Sequence, residues 1–439
     1  VDLLRAIEKA TGRNLLFLFD QYVFRGGHPD YKVAYSWDAD SQLAKVTVTQ
    51  TQAKEGKNGS DSELFDLKIP IAFGYTEQES EGGAHSGTPS QKTFTVRVHE
   101  REQSFYFPLE KKPQFISFDY GNNYLKTVSL EYPTPELKAQ LKFDPDPISR
   151  MYAAKALAKK GGLEAVKALS EALKTDAFWG VRVEVAKQLA QVKLDQTTDA
   201  LISGLKDEDS RVRRSVVEAL SKIKTTQSYE ALKQVVENGD ASYYVEASAA
   251  SALGKMVSAN LKDKEDEVLQ LLTRVLRERA GWNEVVRGGA ISGLSQMKSS
   301  PVALEVILEY TTPGVSQPLR LAAIRALGTI STGQTPSNME WILEQLEELA
   351  AETFFLTQVS VVSALGQMET VKAIGVLRSL AEQTPDGRVR RIAEEAIQKV
   401  QKNVGSDQAV KQLREELDLL KKENQELKSR MENLEAKAK

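Results

Sequence analysis

The sequence predicts a multidomain chain of mixed α and β class. Its parts are a short helical segment, an antiparallel β-sandwich, an α-α superhelix of repeated helix pairs and a C-terminal coiled coil. Three observations predict this order. Apolar residues recur at helical spacing up to residue 28, alternate in short stretches up to 133, and return to helical spacing in units that repeat up to about 402. A leucine heptad then occupies 407–439. The expected domains are therefore 1–28, 29–133, 134–402 and 407–439, and a chain of 439 residues has room for several.

In the first segment Leu3, Leu4 and Ile7 form one apolar helix face, and Gly12 is a natural stop. Asn14 can cap a second short helix carrying Leu15, Leu18, Phe19 and Tyr22. Arg25-Gly26-Gly27-His28-Pro29 ends it, since glycine breaks a helix and proline forces the preceding residue into extended geometry. Two helices this short cannot bury their own apolar faces, so a larger body is expected against them. Period two then takes over at Tyr31–Trp37, Leu43–Thr51, Leu64–Phe73, Lys92–Val98, Gln103–Leu109, Gln114–Tyr120 and Lys126–Tyr132. Seven β-branched and aromatic stretches split by polar loops predict an antiparallel sandwich. Ala53–Glu63 and Thr76–Gln91 are long polar surface loops.

From 134 onward an anchor leucine recurs at Leu157, Leu189, Leu220, Leu253, Leu294, Leu327 and Leu365, with Ile397 last, at spacings from 31 to 41 residues. One position earlier stand Ala156, Gln188, Ala219, Ala252, Gly293, Ala326, Ala364 and Ala396, and an alanine or valine stands four positions earlier throughout. Small residues at fixed helical offsets let stacked helices approach closely. An amphipathic helix precedes each anchored one, as in Leu163–Leu173, Asp266–Leu276 and Met339–Ala350. Helix pairs of this period resemble HEAT repeats of the short type.

The repeats also carry charges in register. Asp144, Asp176, Asp207 and Asp240 lie thirteen positions before the anchor; Arg150, Arg182, Arg213, Arg287, Arg320 and Arg390 lie seven before it, with Glu246 and Gln358 breaking the series. Each Asp could cap the second helix or meet a guanidinium, whose rigid fork suits a carboxylate. Two readings follow: a basic groove gripping acidic peptides, or an inter-repeat Asp–Arg stack, which the HEAT resemblance implies. In 407–439 an a/d seam runs through Val410, Leu413, Leu417, Leu420, Asn424, Leu427, Met431 and Leu434. Leucine holds every d position and Asn424 an a position, the pattern of a parallel two-stranded coil and hence of a homodimer. Gly405-Ser406 before it makes the coil a flexible appendage, native or fused.

Composition excludes several classes. With 58 basic against 61 acidic residues, net −3, no basic field exists for nucleic acid. Without cysteine there is no disulfide framework or thiolate chemistry, and a cytoplasmic location is expected. The longest early apolar run, Leu15–Phe19, is far short of a membrane span. The chain opens on Val1 with no basic-then-apolar leader, so the expectation is a piece of something longer. Among three histidines, His99-Glu100-Arg101-Glu102-Gln103 misses H-E-x-x-H by its last residue and lies at a strand end rather than on a helix. His28 and His85 have no neighbouring ligands, and no nucleophile elbow or phosphate loop is present. Neither a catalytic residue nor a cofactor is expected within this chain.

Thr11-Gly12-Arg13-Asn14-Leu15, Phe19-Asp20-Gln21-Tyr22 and Arg25-Gly26-Gly27-His28-Pro29 resemble the end of the catalytic domain in the aminopeptidase-N-like zinc metallopeptidases. The strands Tyr31–Trp37 and Val46–Gln52 resemble the same family. That resemblance implies a β-sandwich and a HEAT-like helical domain in this order, the latter arching over an active-site cavity. It also implies a parent that uses zinc to hydrolyse N-terminal residues from peptides. The zinc helix, the amine-binding strand and the catalytic tyrosine of that family correspond to no residue here. The implied partners are the chain's own catalytic domain and, for the parent, peptides. The alternative is a protein-protein interaction scaffold with vestigial aminopeptidase ancestry.

Overall fold

The computed structural model describes residues 2–53, 64–76, 90–192, 194–223, 225–259 and 261–403. Contacts divide the chain into two compact units, 1–223 and 224–439. The first unit opens with helices α1 (Asp2–Thr11) and α2 (Leu16–Tyr22). Gly12 ends α1 at φ +67°, a left-handed conformation that a side chain would resist. Asn14 Oδ1 accepts from Leu16 N at 2.9 Å, fixing the start of α2.

Seven strands follow, one for each alternating stretch: β1 (Asp30–Asp38), β2 (Leu43–Gln50), β3 (Leu67–Tyr75), β4 (Ser90–Val98), β5 (Glu102–Pro108), β6 (Phe115–Phe118) and β7 (Thr127–Glu131). They form two sheets, ordered β5-β2-β1-β7 and β4-β3-β6. Alternation sets which faces are buried, since successive side chains point to opposite sides. Tyr31, Val33 and Tyr35 of β1 are buried, as are Val46 and Val48 of β2. Aromatic rings join the sheets: Tyr31 meets Phe118 edge-on at 5.4 Å, and Phe107 lies 5.0 Å from Phe73 and 5.1 Å from Phe94. One pairing departs from the antiparallel expectation. β1 and β7 run parallel, Asp30 opposite Thr127 and Ala34 opposite Glu131. The strands are far apart in sequence, so no hairpin constrains their sense, and β7 closes the sheet as the chain returns.

The turn between β6 and β7 is held by a fully enclosed ion pair. Lys126 Nζ lies 2.5 Å from Asp119 Oδ2, with both side chains shielded from water. The same carboxylate accepts from Asn123 and from Tyr124 N, and Lys126 also donates to Asn122 Oδ1. Satisfied on every side, such a pair tolerates burial that would expel either charge alone.

Helices α3 (Thr134–Phe143), α4 (Pro147–Lys160), α5 (Gly162–Thr175), α6 (Trp179–Leu189), α7 (Asp195–Gly204) and α8 (Ser210–Ile223) complete the unit. α3 packs on β6, α4 on β7, and the second helices α4, α6 and α8 stack in succession. The anchors Leu157, Leu189 and Leu220 are fully buried.

The second unit continues the alternation with α9 (Thr226–Asn238), α10 (Tyr243–Ala259), α11 (Glu265–Glu278), α12 (Val285–Ser295), α13 (Pro301–Glu309), α14 (Gln317–Ser331), α15 (Pro336–Ala350), α16 (Phe355–Leu365) and α17 (Lys372–Gln383). A final helix, α18, occupies 387–403. Here the stacked helices touch backbone to backbone. A Cβ on Gly254 would overlap the Gly293 carbonyl, and one on Gly328 the Ala364 backbone, so α10 against α12 and α14 against α16 require glycine at those points. No helix among the described residues is long and apolar enough to cross a membrane.

Where the sheets meet the first helix pair, a buried carboxyl carries a pH dependence. Asp144 is 1% exposed, and burial raises its pKa from 3.8 to about 6, against the hydrogen bond it accepts from Asp146 N. A carboxyl that holds its proton more tightly when folded adds no penalty below pH 4; the penalty grows as pH rises through 6. Asp144→Asn, which keeps the acceptor for Asp146 N, is expected to gain ~3 kcal/mol over wild type at pH 8 and nothing at pH 4. Urea denaturation at the two pH values checks this; an equal difference at both would contradict it.

Candidate functional site

Two groups of residues singled out by sequence acquire definite geometry. The first is the motif around α2. Gln21 and Asp66 exchange two hydrogen bonds through side chain and backbone, at 2.5 and 3.2 Å. Tyr22 Oη donates to the Leu125 carbonyl at 3.0 Å, and its ring lies 5.4 Å from Phe65. Burial pushes the Tyr22 hydroxyl up to about 12, so it stays a donor. Arg25 donates to the Leu64 carbonyl at 2.9 Å and lies 4.2 Å over the Phe65 ring. Gln21, Tyr22 and Arg25 thus fasten α2 to the sheets. The rest of this helical segment stays apolar and open: Leu3, Leu16, Phe17, Val23 and Phe24 are exposed. Leu4 is the one buried hydrophobic residue of α1, and α2 has none.

The second group is the charge series. Arg150 grips Asp176 with both Nε and Nη2, at 2.8 and 2.9 Å, while Nη1 donates to the Asp144 carbonyl at 2.8 Å. Arg182 repeats the pattern on Asp207, at 2.8 and 3.0 Å, and on the Asp176 carbonyl at 2.8 Å. Arg213 donates to the Asp207 carbonyl at 2.8 Å. Arg150 and Arg182 therefore each take a carbonyl from the turn of their own repeat and a carboxylate from the next. Asp144, Asp176, Asp207 and Asp240 each also accept a backbone N–H two residues on. They do not cap the second helices: that place, two residues later, belongs to Asp146, which accepts from Ile148 N. The cap needs the residue adjoining the first helical turn, and the ladder Asp still belongs to the preceding turn.

In the second unit the inter-repeat bond persists at some repeats with other residues. Arg320 pairs with Glu352, which holds the offset of the earlier aspartates, and it reaches the Thr311 carbonyl at 2.7 Å. Gln358 stands where an Arg would, and Thr384 Oγ1 donates to it at 3.2 Å. Glu246 inverts the signs by pairing with Arg279 at 2.7 Å. Arg287 meets Glu284 at 3.0 Å and the Leu276 carbonyl at 2.6 Å, and Arg390 meets the carbonyls of Ala381 and Thr384. Glu352 and Thr384 stand at the offset of the ladder aspartates, thirteen positions before Leu365 and Ile397, and are readable from it. Arg279 was not, because the longest repeat moves it out of register.

Metal chemistry finds no constellation. Among the described residues no three of His, Asp and Glu gather as ligands. His99 closes β4 beside Gln103 and Glu100, and His28 contacts the Pro29 carbonyl. His85 and the coiled-coil seam from Val410 to Leu434 lie outside the described residues.

The family model for HEAT repeats matches residues 134–196, 166–254 and 314–398. These segments carry HEAT repeats. No curated protein matches the chain. Among solved structures it is similar to aminopeptidase A of Legionella pneumophila, solved with aspartic acid, at 13% identity over 91% of this chain and TM-score 0.44; the chain spans 52% of that protein's length. It is also similar to YibA of Escherichia coli, at 20% identity over 61% of this chain and 91% of that one, TM-score 0.37. Human deoxyhypusine hydroxylase, solved with glycerol, matches at 20% identity over 61% and 96%, TM-score 0.27.

The ladder's geometry separates buried pairs from exposed ones. Arg182 and Asp207 are 7% and 9% exposed in their side chains, whereas Arg388, paired with Asp386, is 74% exposed. Arg182→Ala leaves a carboxylate without its partner inside the protein and is expected to cost about 3 kcal/mol. Arg388→Ala should leave the denaturation midpoint within experimental error. Chemical denaturation of both variants checks the contrast, and similar losses would refute it.

Proposed function

We propose that this chain is the non-catalytic C-terminal region of a zinc aminopeptidase-like protein, and that its solenoid covers the parent's active-site cavity. The observation that carries this reading is the state of α1 and α2. Their family-like residues Gln21, Tyr22 and Arg25 tie α2 to the sheets, while Leu3, Leu16, Phe17, Val23 and Phe24 present an apolar surface to solvent. A surface of that character asks for a partner body. On this reading the body is the catalytic domain, and the two sheets form the β-sandwich between it and the helical repeats. The order of helices, sheets and HEAT repeats supports the same reading. Zinc-activated water attacking the first peptide bond would be the work of residues in that domain. The residues here would fix its position and limit access to peptide N-termini.

The experiment uses the purified chain and a separately expressed catalytic domain of the parent. Alone, the chain should bind no stoichiometric zinc and release no product from an aminoacyl anilide. With the domain added, it should form a complex that Phe17→Asp with Phe24→Asp abolishes while the melting temperature stays unchanged. Zinc uptake or turnover by the chain alone would refute the proposal, and a parent domain lacking H-E-x-x-H would turn it toward the scaffold reading.

The heptads of 407–439 extend the proposal to a homodimer. Light scattering should give twice the 48.6 kDa chain mass at micromolar concentration and the monomer mass once 407–439 are removed. A monomeric full chain would end that part of the reading.

A further inference from the structure

Three repeats carry an aromatic ring ten positions before the anchor: Trp179 before Leu189, Tyr243 before Leu253 and Phe355 before Leu365. Two of these rings are covered by an arginine from the following repeat. Arg211 lies 3.6 Å over Trp179, and Arg388 lies 4.1 Å over Phe355. Both arginines stand nine positions before their own anchors, Leu220 and Ile397, and no other repeat has arginine there. Each is held by the carboxylate two residues earlier, Arg211 by Asp209 at 2.6 and 3.0 Å and Arg388 by Asp386 at 2.7 and 3.1 Å. A guanidinium over a ring meets its negative π face, and the aspartate keeps it in place.

The third ring has no such cover. In the repeat after Tyr243, Val285 stands where the arginine would and Asn283 where the aspartate would. Among the described residues no arginine or lysine lies over Tyr243 or over Trp282, and these two side chains are 46% and 60% exposed. Trp179 and Phe355, by contrast, are half-buried. Tyr243 and Trp282 border one concavity of about 260 Å³, together with Glu246, Arg279, Gly281 and Val286. Beside Trp282 the backbone is strained, because Asn283 and Glu284 are consecutive non-glycine residues at φ +50° and +55°. Such strain collects at ligand clamps. Arg279 does not serve as the cover, since its Nη1 is held by Glu246 and its Nη2 by the Glu237 carbonyl, each at 2.7 Å. With Glu246 and Arg279 paired, the walls carry no net charge and the two π faces set the chemistry.

We propose that the notch between Tyr243 and Trp282 receives an arginine side chain of a partner protein, as Arg211 and Arg388 cover Trp179 and Phe355. The chain's own chemistry identifies the occupant: at the other two corners that carry a ring, a guanidinium covers it both times. Tryptophan gives a cation its strongest aromatic contact, and tyrosine also serves. The two covering arginines keep 57% and 74% of their side chains exposed, so a partner's side chain can take such a place at the surface. The site goes beyond the proposed function and needs neither zinc nor a catalytic domain.

The test uses the full chain, isotope-labelled at the indole nitrogens of Trp37, Trp179, Trp282 and Trp341 and read by NMR. The Trp282 signal is assigned by its loss in Trp282→Phe. Nα-acetylarginine amide, added at constant ionic strength, should shift that signal saturably. The signals of Trp179, already covered, and of Trp341, exposed outside the notch, should stay in place. The uncharged isostere Nα-acetylcitrulline amide should leave Trp282 unmoved, and the lysine amide should bind more weakly than arginine. Tyr243→Leu should weaken arginine binding about threefold. Should Y243L displace the other three signals and so show a disturbed fold, Val285→Arg serves instead. It supplies a guanidinium from within and should abolish the shift. No saturable shift, an equal response to citrulline, lysine binding as tight as arginine, or arginine binding unchanged in the variant that keeps its fold would overturn the proposal.

Discussion

A guanidinium that serves two repeats at once is the contact around which this solenoid is organised. Every helix end leaves carbonyls without intrahelical partners, and a helix pair cannot bury its apolar stripe alone. Arg150 and Arg182 address both problems. Nη1 takes an orphan carbonyl from the turn of its own repeat, and the remaining edge grips the carboxylate of the next. Because the fork is flat and bidentate, it fixes the height of one repeat against its neighbour as well as holding them together. The fully buried anchor leucines are apolar contacts that tolerate sliding; the arginines add direction.

The chemistry of the ladder varies more than its geometry. Arg320 uses Glu352 in place of aspartate, Glu246 and Arg279 exchange signs, and Gln358 with Thr384 dispenses with charge. What these three share is a hydrogen bond between the second helix of one repeat and the turn or loop of the next, whereas Arg287 binds within its own repeat. Close packing imposes a second demand. Where Gly254 meets Gly293 and Gly328 meets Ala364, the backbones touch and no side chain fits between them. A repeat can lose its arginine and remain in register, but it cannot enlarge these positions without separating the helices.

Period was what the sequence displayed most clearly. Alternation located all seven strands, and the anchor leucines located the second helices, because burial of one face acts on every residue of the element. Partner choice was less visible. The parallel pairing of β1 with β7 depends on the chain's return across the whole sheet region and leaves no mark on either strand. Capping was misjudged by two residues, since Asp144 and Asp146 look alike in sequence and only the start of α4 distinguishes them. The motif near α2 could be recognised, yet the bonds from Gln21, Tyr22 and Arg25 to Asp66, Leu125 and Leu64 join segments that sequence does not connect.

The position of Asp144 shows how periodicity can produce a buried charge without selecting for one. It stands at the same offset as Asp176 and Asp207, and like them it accepts the N–H two residues on. Those two receive an arginine from the preceding repeat. Before Asp144 there are strands instead, and its neighbours are Ser117 on β6 and the ring of Tyr132. One oxygen of the carboxyl has no hydrogen-bond partner, and desolvation holds its pKa high. The turn that follows α3 needs the Asp for its local geometry, just as the later turns do, but the array begins there and no guanidinium precedes it. The charge is therefore explained by the first repeat of an array having only one neighbour of its own kind.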